Sequence, residues 1–195
     1  MQYLGLCDLF GSWGVTPRPH RLRSALQAAL LVLAAGIFVV PAPAQAASPN
    51  QPAPVAPFLV GGTPRSTATL TGHKTLLWLV STWCSSCAAG LRVLARHAPL
   101  LHDAGLRVVV LRNVGNGGYP GPGIRAFVSS VAPALLRQSN WTFGEATPAF
   151  EKAYNPRGYA DIYFLIRADG TLQTISGAPA ATLGTILGFV GAPFR

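Results

Sequence analysis

The sequence carries little charge and few acidic residues. Only 11% of the 195 residues are charged, and 6 Asp and Glu stand against 15 Lys and Arg, for a formal net charge of +9. Since 50% of the residues are hydrophobic, the chain can bury a sizeable core, which excludes disorder of the whole. The basic residues are scattered without a Lys/Arg run or a nucleic-acid-reading motif, so nucleic-acid binding is not predicted.

Cysteine is also scarce, which excludes a disulfide-rich secreted scaffold. The three cysteines are Cys7, Cys84 and Cys87. Cys7 stands alone near the N-terminus, far from the other two in sequence. Only Cys84 and Cys87 are therefore available as a pair to the folded part of the chain.

The N-terminal region has the pattern of an export signal. A basic cluster at residues 18–23 precedes an uncharged, mostly apolar stretch over residues 25–40, and Ala44 and Ala46 follow in an Ala-x-Ala pattern. This order predicts a secretory signal peptide over residues 1–46, cleaved after Ala46. An uncleaved membrane anchor formed by residues 25–40 remains the alternative, although about 20 residues are needed to span a bilayer comfortably. Both alternatives predict an extracytoplasmic domain, either periplasmic or secreted.

The next segment, residues 47–57, is rich in proline and alanine. Proline has no backbone donor and fixes its own φ, so we predict a tether without helix or strand. The folded domain is then expected over residues 58–195.

Within this domain, apolar runs alternate with segments of helical spacing. Two runs, Thr75–Ser81 and Leu106–Leu111, indicate buried strands of the parallel type. Asp169-Gly170 between two further apolar runs indicates a β-hairpin. We therefore predict an α/β fold, with a mixed central sheet flanked by helices and a C-terminal hairpin followed by a helix. The helices are expected at residues 85–104, 124–136, 148–151 and 179–190.

The stretch from Thr82 to Cys87 lies where the first strand gives way to a helix. Two cysteines three residues apart can meet within one helical turn. At the helix N-terminus, unpaired amides and the helix dipole favour a thiolate at Cys84. We predict that Cys84 is the exposed attacking thiol and that the more covered Cys87 resolves the mixed disulfide. Trp83 is expected to shield the pair and to face a substrate.

Three other functions of a cysteine pair remain open at this stage. It could form half of a structural zinc site, with partners among His73, His97 and His102. It could be a structural disulfide in an oxidising compartment. It could also bind copper through the two thiolates.

The chain resembles the thioredoxin superfamily, and within it the extracytoplasmic reductases of the TlpA and cytochrome-c-maturation kind. Two blocks, Leu76–Cys87 and Tyr163–Leu172, carry this resemblance, which covers roughly residues 58–192. It implies a thioredoxin-like fold and a thiol–disulfide oxidoreductase with Cys84 as nucleophile and Cys87 as resolving cysteine. It also implies cysteine-containing extracytoplasmic proteins as substrates, a membrane thiol donor, and neither a cofactor nor a metal.

The sequence departs from this family at three positions. Asp161 occupies the position of the family's cis-proline before the hairpin. Trp78 takes the place of a buried acid that assists proton transfer, and Gly90 takes the place of a glutamate. Asp161 is then the acid expected close enough to tune the thiols, unless it only caps the end of a strand.

A second likeness is to the copper-chaperone branch of the same superfamily, which delivers copper for oxidase assembly. Residues 141–144, Trp-Thr-Phe-Gly, carry it. That branch separates its cysteines by three residues and keeps a histidine before the hairpin, whereas this chain has two intervening residues and no histidine over residues 159–163. A copper-binding, chaperone-like protein is therefore the alternative prediction.

Overall fold

The computed structural model describes residues 46–192. The predicted signal peptide or anchor over residues 1–46 lies outside the described residues, apart from Ala46. In the described part of the chain, no helix combines the length and the apolar character needed to cross a membrane.

The described residues form seven strands and five α-helices. The strands are β1 (Pro57–Val60), β2 (Thr63–Ser66), β3 (Thr75–Val80), β4 (Arg107–Arg112), β5 (Trp141–Ala146), β6 (Asp161–Ile166) and β7 (Leu172–Ser176). The helices are α1 (Ser85–Arg96), α2 (Ala98–Asp103), α3 (Ile124–Val131), α4 (Pro148–Tyr154) and α5 (Leu183–Val190).

The seven strands make one mixed sheet in the order β2-β1-β5-β4-β3-β6-β7. Strands β3, β4 and β5 are parallel, and β6 runs antiparallel to both β3 and β7. The carboxyl ends of β3 and β4 and the amino end of β6 therefore meet at one edge of the sheet. Loops from all three strands converge there, which is where the site is built.

The central strand β3 divides the core into two layers because successive side chains point to opposite faces. Leu76, Trp78 and Val80 face the layer of α1, α2, α3 and α5. Leu77 and Leu79 face the other layer, which contains α4. All six residues of β3 are buried, as expected for a strand covered on both faces.

The predicted α/β fold with a mixed sheet and a C-terminal hairpin is confirmed, but several element boundaries differ. The single helix expected over residues 85–104 is two helices, separated at His97. The last helix begins at Leu183 instead of Pro179. The hairpin β1–β2 was not predicted, although Gly61 and Gly62, both at positive φ, form the kind of glycine pair that favours a tight hairpin turn.

Residues 47–57 also differ from the predicted tether, because most of them are held against the domain. The amide of Ala47 donates to the carbonyl of Ala153, and that of Asn50 donates to the carbonyl of Leu172. Ala56 is buried. The prolines lack donors, but the residues between them supply amides that bind carbonyls of α4 and of the β7 edge.

Candidate active site

The cysteine pair lies at the junction of β3 and α1. Cys84 occupies the N-cap position, with extended backbone angles, and its Sγ accepts a hydrogen bond from the amide of Cys87 at 3.4 Å. The sulfur thus satisfies one of the amides that a helix N-terminus leaves unpaired. This places Cys84 where the sequence predicts it, at the positive end of the helix dipole.

The prediction of an exposed Cys84 is wrong, because both cysteines are buried. Cys84 is 8% exposed and Cys87 is fully buried, so Cys84 is the more accessible thiol but is itself largely covered. Burial raises the pKa of Cys87 far above its usual range, and hydrogen bonding to Cys84 and the charge of Asp161 raise it further. The Cys87 thiol lies 3.3 Å from the carbonyl oxygen of Ala160, to which it donates.

Asp161 is the first residue of β6 and pairs in register with Val80, the last residue of β3. This register brings its carboxylate to the start of α1. Oδ1 accepts a hydrogen bond from the indole Nε1 of Trp78 at 2.8 Å, and Oδ2 accepts one from the hydroxyl of Ser86 at 2.5 Å. Asp161 therefore does more than cap a strand end, because it binds side chains of β3 and of α1.

Trp83 lies at the exposed rim of the site. Its side chain is 47% exposed, its indole Nε1 donates to the carbonyl of Asn116 at 2.8 Å, and its ring centroid is 4.8 Å from that of Tyr119. Tyr119 and Tyr159 are 61% and 48% exposed and lie on the loops that meet at the same sheet edge. We call Trp83, Tyr119 and Tyr159 the aromatic rim. The predicted part of Trp83 in facing a substrate stays a prediction.

Two buried asparagines, Asn113 and Asn155, hold the loop before Asp161. The side chain of Asn155 accepts from the amide of Tyr159 at 2.8 Å and donates to the carbonyl of the same residue at 2.9 Å. Asn113 donates to that carbonyl at 3.1 Å and to the hydroxyl of Ser81 at 3.0 Å. We call Asn113 and Asn155 the amide clamp. Sequence reasoning missed it because asparagine in a loop has many other uses.

Ser86 was also missed as a site residue. Its hydroxyl lies 3.1 Å from the Sγ of Cys84 and donates to Asp161. The neighbouring Ser85 is exposed. In the sequence the two serines look equivalent, and only the helix phase and the register of β6 distinguish them.

The cysteines and Asp161 also form a cluster with metal-binding potential. One donor atom from each of Cys84, Cys87 and Asp161 lies within 4.8 Å of the others, and none of the described histidines belongs to this cluster. The alternative of a zinc site with His73, His97 or His102 is therefore not supported in the described part of the chain. A carboxylate is a hard donor that suits copper(I) poorly beside two soft thiolates, and both of its oxygens already accept hydrogen bonds.

No protein-family model and no curated protein matches the sequence. Solved structures do match. A DsbE-like thiol:disulfide interchange protein from Chlorobium tepidum aligns with a TM-score of 0.54 and 17% identity, over 74% of this chain and 99% of that one. The chain has a thioredoxin-like fold.

Two further structures show the range of functions associated with this fold. A secreted disulfide oxidoreductase of Mycobacterium tuberculosis, described as homologous to DsbE of E. coli, has a TM-score of 0.50 and 25% identity, over 70% of this chain and 93% of that one. The copper-bound Sco1 protein of yeast has a TM-score of 0.53 and 11% identity, over 76% of this chain and 98% of that one. These likenesses confirm the predicted thioredoxin-superfamily resemblance at the level of fold.

Proposed function

We propose that the protein is a thiol–disulfide oxidoreductase acting on cysteines of extracytoplasmic proteins. Cys84 is the attacking thiol and Cys87 the resolving thiol. The observation that carries the proposal is the asymmetry of the pair: Cys84 sits at the helix N-cap and retains some exposure, whereas Cys87 is fully buried beneath it. Cys84 is the thiol that a substrate disulfide can approach, whereas burial raises the pKa of Cys87 and keeps that thiol protonated.

In the reductive direction, the Cys84 thiolate attacks one sulfur of a substrate disulfide. A Cys84–substrate disulfide forms, and the other substrate sulfur leaves as a thiolate. Cys87 then loses its proton and attacks Cys84, which releases the second substrate thiol and leaves a Cys84–Cys87 disulfide. Two electrons pass to the substrate, and the reverse sequence oxidises a dithiol. A membrane thiol donor is the proposed source of electrons for regeneration.

The surroundings of Cys84 suit a polypeptide substrate. The aromatic rim offers apolar surface near Cys84, which is itself only slightly exposed. A cleft of about 290 Å³ lies next to Asp161 and is lined by Tyr159, Ile162 and Ile175, among others. The export pattern at residues 1–46 supports an extracytoplasmic substrate.

Trapping tests this function directly. In a Cys87→Ser variant the mixed disulfide cannot be resolved, so partner proteins should accumulate on Cys84 in the native compartment and run as adducts that a reductant releases. Cys84→Ser is the matched control and should give none. The wild-type protein should also catalyse insulin reduction. Absence of both adducts and insulin reduction would overturn the proposal.

The alternative is a copper-binding, chaperone-like protein for oxidase assembly. It is favoured by the nearness of the two sulfurs and by the fold shared with copper-bound Sco1. It predicts tight, one-to-one binding of copper(I) by the reduced protein in competition with a chromogenic chelator, lost in Cys84→Ser. Copper binding without disulfide exchange would favour this alternative over the oxidoreductase.

A further inference from the structure

An unbroken hydrogen-bonded path joins the attacking thiol to a carboxylate. The Sγ of Cys84 lies 3.1 Å from the Oγ of Ser86, and that oxygen lies 2.5 Å from Oδ2 of Asp161. Ser86 is in the first turn of α1, and Asp161 is at the amino end of β6. The two residues are 75 positions apart in sequence, so the path exists only in the folded chain.

The directions of these hydrogen bonds are largely fixed by the groups themselves. The single proton of the Ser86 hydroxyl points to Oδ2 of Asp161, which accepts it. The lone pairs of that hydroxyl then remain for the Cys84 thiol, which can donate its proton to them. Trp78 donates to the second carboxylate oxygen and so holds the group in place. The arrangement is a thiol donating to a hydroxyl that donates to a carboxylate.

We propose that the Ser86 hydroxyl relays the proton of Cys84 to Asp161, so that Cys84 is deprotonated inside the site. This inference rests on the proposed oxidoreductase function and assigns two residues to its first step. Ser86 is the relay, Asp161 is the proton acceptor, and Trp78 is a positioning residue.

The step balances in protons and electrons. Ser86 takes the proton of Cys84 and passes its own proton to Asp161, which leaves a thiolate and a carboxylic acid. The thiolate attacks the substrate disulfide, forming one S–S bond and breaking another. The departing substrate thiolate takes up the proton from Asp161, and the carboxylate is restored. It is then free to accept the proton of Cys87 when Cys87 attacks the mixed disulfide.

One further titratable group, Cys87, lies beside this path. The donor atoms of Cys84, Cys87 and Asp161 lie within 4.8 Å of one another. Tyr159 lines the same cleft as Asp161, and its hydroxyl accepts a hydrogen bond from the exposed guanidinium of Arg157.

The experiment measures the rate at which Cys84 is alkylated by iodoacetamide and exchanges with oxidised glutathione, as a function of pH. The full-length protein is used, and the Cys84 peptide is quantified by mass spectrometry so that Cys7 does not interfere. Ser86→Ala and Asp161→Asn should each slow both reactions near neutral pH, by on the order of 10²-fold for the loss of general acid–base assistance. The double variant should be no slower than either single variant, because one path is lost in all three.

The neighbouring serine provides the matched control. Ser85→Ala should leave the rates and the pH profile unchanged, and Ser86→Thr should restore the rate by restoring a hydroxyl. Wild type should show a solvent deuterium isotope effect that Ser86→Ala lacks. If Cys84 of the wild-type protein exchanges with glutathione and Ser86→Ala keeps the wild-type pH profile and isotope effect, the proposed relay is wrong. The proposed oxidoreductase function is then unaffected. If wild-type Cys84 does not exchange at all, the proposed function itself fails.

Discussion

The side chain of Trp78 fills the space that a side chain at position 90 would need. A Cβ atom on Gly90 would lie 2.7 Å from Cη2 of Trp78. The fully buried indole therefore leaves no room for a side chain at position 90. The same indole donates to Asp161. Residues 78, 90 and 161, where the sequence is expected to depart from the family that it resembles, are thus linked through one indole.

Gly90→Ala is expected to destabilise the protein. The added methyl overpacks against a fully buried ring, at a cost of about 1–3 kcal/mol, which exceeds the ~0.5–1 kcal/mol that alanine gains over glycine in a helix. Urea unfolding measures the difference. Gly188→Ala in α5, where a Cβ would meet nothing within 4 Å, is the control and should be neutral or stabilising. Equal effects of the two substitutions would contradict the packing argument.

The reduced protein should lose stability as the pH rises above neutral, because the pKa of Cys87 is raised on folding. Unfolded Cys87 ionises near pH 8.5, whereas the folded thiol keeps its proton. The unfolded state then binds fewer protons, so the free energy of unfolding falls, by about 1.4 kcal/mol between pH 7 and 9.5. The stabilising contribution of the buried, protonated Cys87 is fully present below about pH 8.5 and is lost progressively above it.

Urea midpoints of the reduced protein at pH 7 and pH 9.5 measure this slope, and Cys87→Ala isolates the cysteine. The variant should be less stable at pH 7, since a buried group is lost, but its stability should change less with pH. An identical pH dependence in the variant would mean that other groups cause the slope. Tyr154, whose pKa is also raised by burial, contributes only above about pH 10.

Alkylation of the native, reduced protein should be confined to Cys84 within the folded domain. Cys87 is fully buried and holds its proton, so its reaction requires opening of the structure. Iodoacetamide at pH 8 followed by peptide mapping should show label on Cys84 first, and on Cys87 only after denaturant is added. Simultaneous labelling of both thiols without denaturant would refute the predicted difference in burial.

Asn155→Ala should weaken the loop that carries Asp161. The amide of Tyr159 loses its partner, while its carbonyl keeps the hydrogen bond from Asn113. A polar group left unpaired inside the fold costs about 1–3 kcal/mol. We expect a lower free energy of unfolding and slower exchange at Cys84, since Asp161 is less well held. Gln51→Ala, at an exposed position, serves as the control. Unchanged exchange kinetics would show that the amide clamp does not position the site.

The local parts of the site are predictable from sequence because they depend on neighbouring residues. The apolar run of β3 and the helical spacing that follows place Cys84 at a helix start. Asp161 could be placed near the pair only through the family resemblance. Its contact with Ser86 depends on the pairing of Asp161 with Val80, and a shift of one residue would turn the carboxylate to the other face of the sheet.

The fold was predictable to a similar degree. Long apolar runs indicate β3 and β4, and Asp-Gly marks the turn between β6 and β7. The short strands β1 and β2 escape such reasoning, since four residues including prolines carry no clear period. Residues 47–56 escape it for another reason. A proline-rich composition indicates that a segment forms no helix or strand by itself, but here the segment is hydrogen-bonded to the rest of the domain.

The packed segment before β1 matters for how the domain is produced. The amides of Asn50 and Ala53 bind the carbonyls of Leu172 and Gly170, so this segment covers part of the outer edge of β7. A recombinant fragment beginning at Phe58 would leave that edge bare. Uncovered sheet edges pair with other chains and drive aggregation. A soluble fragment should therefore begin no later than Ala47, and insolubility of a shorter one would reflect the lost cover, not a failure of the redox site.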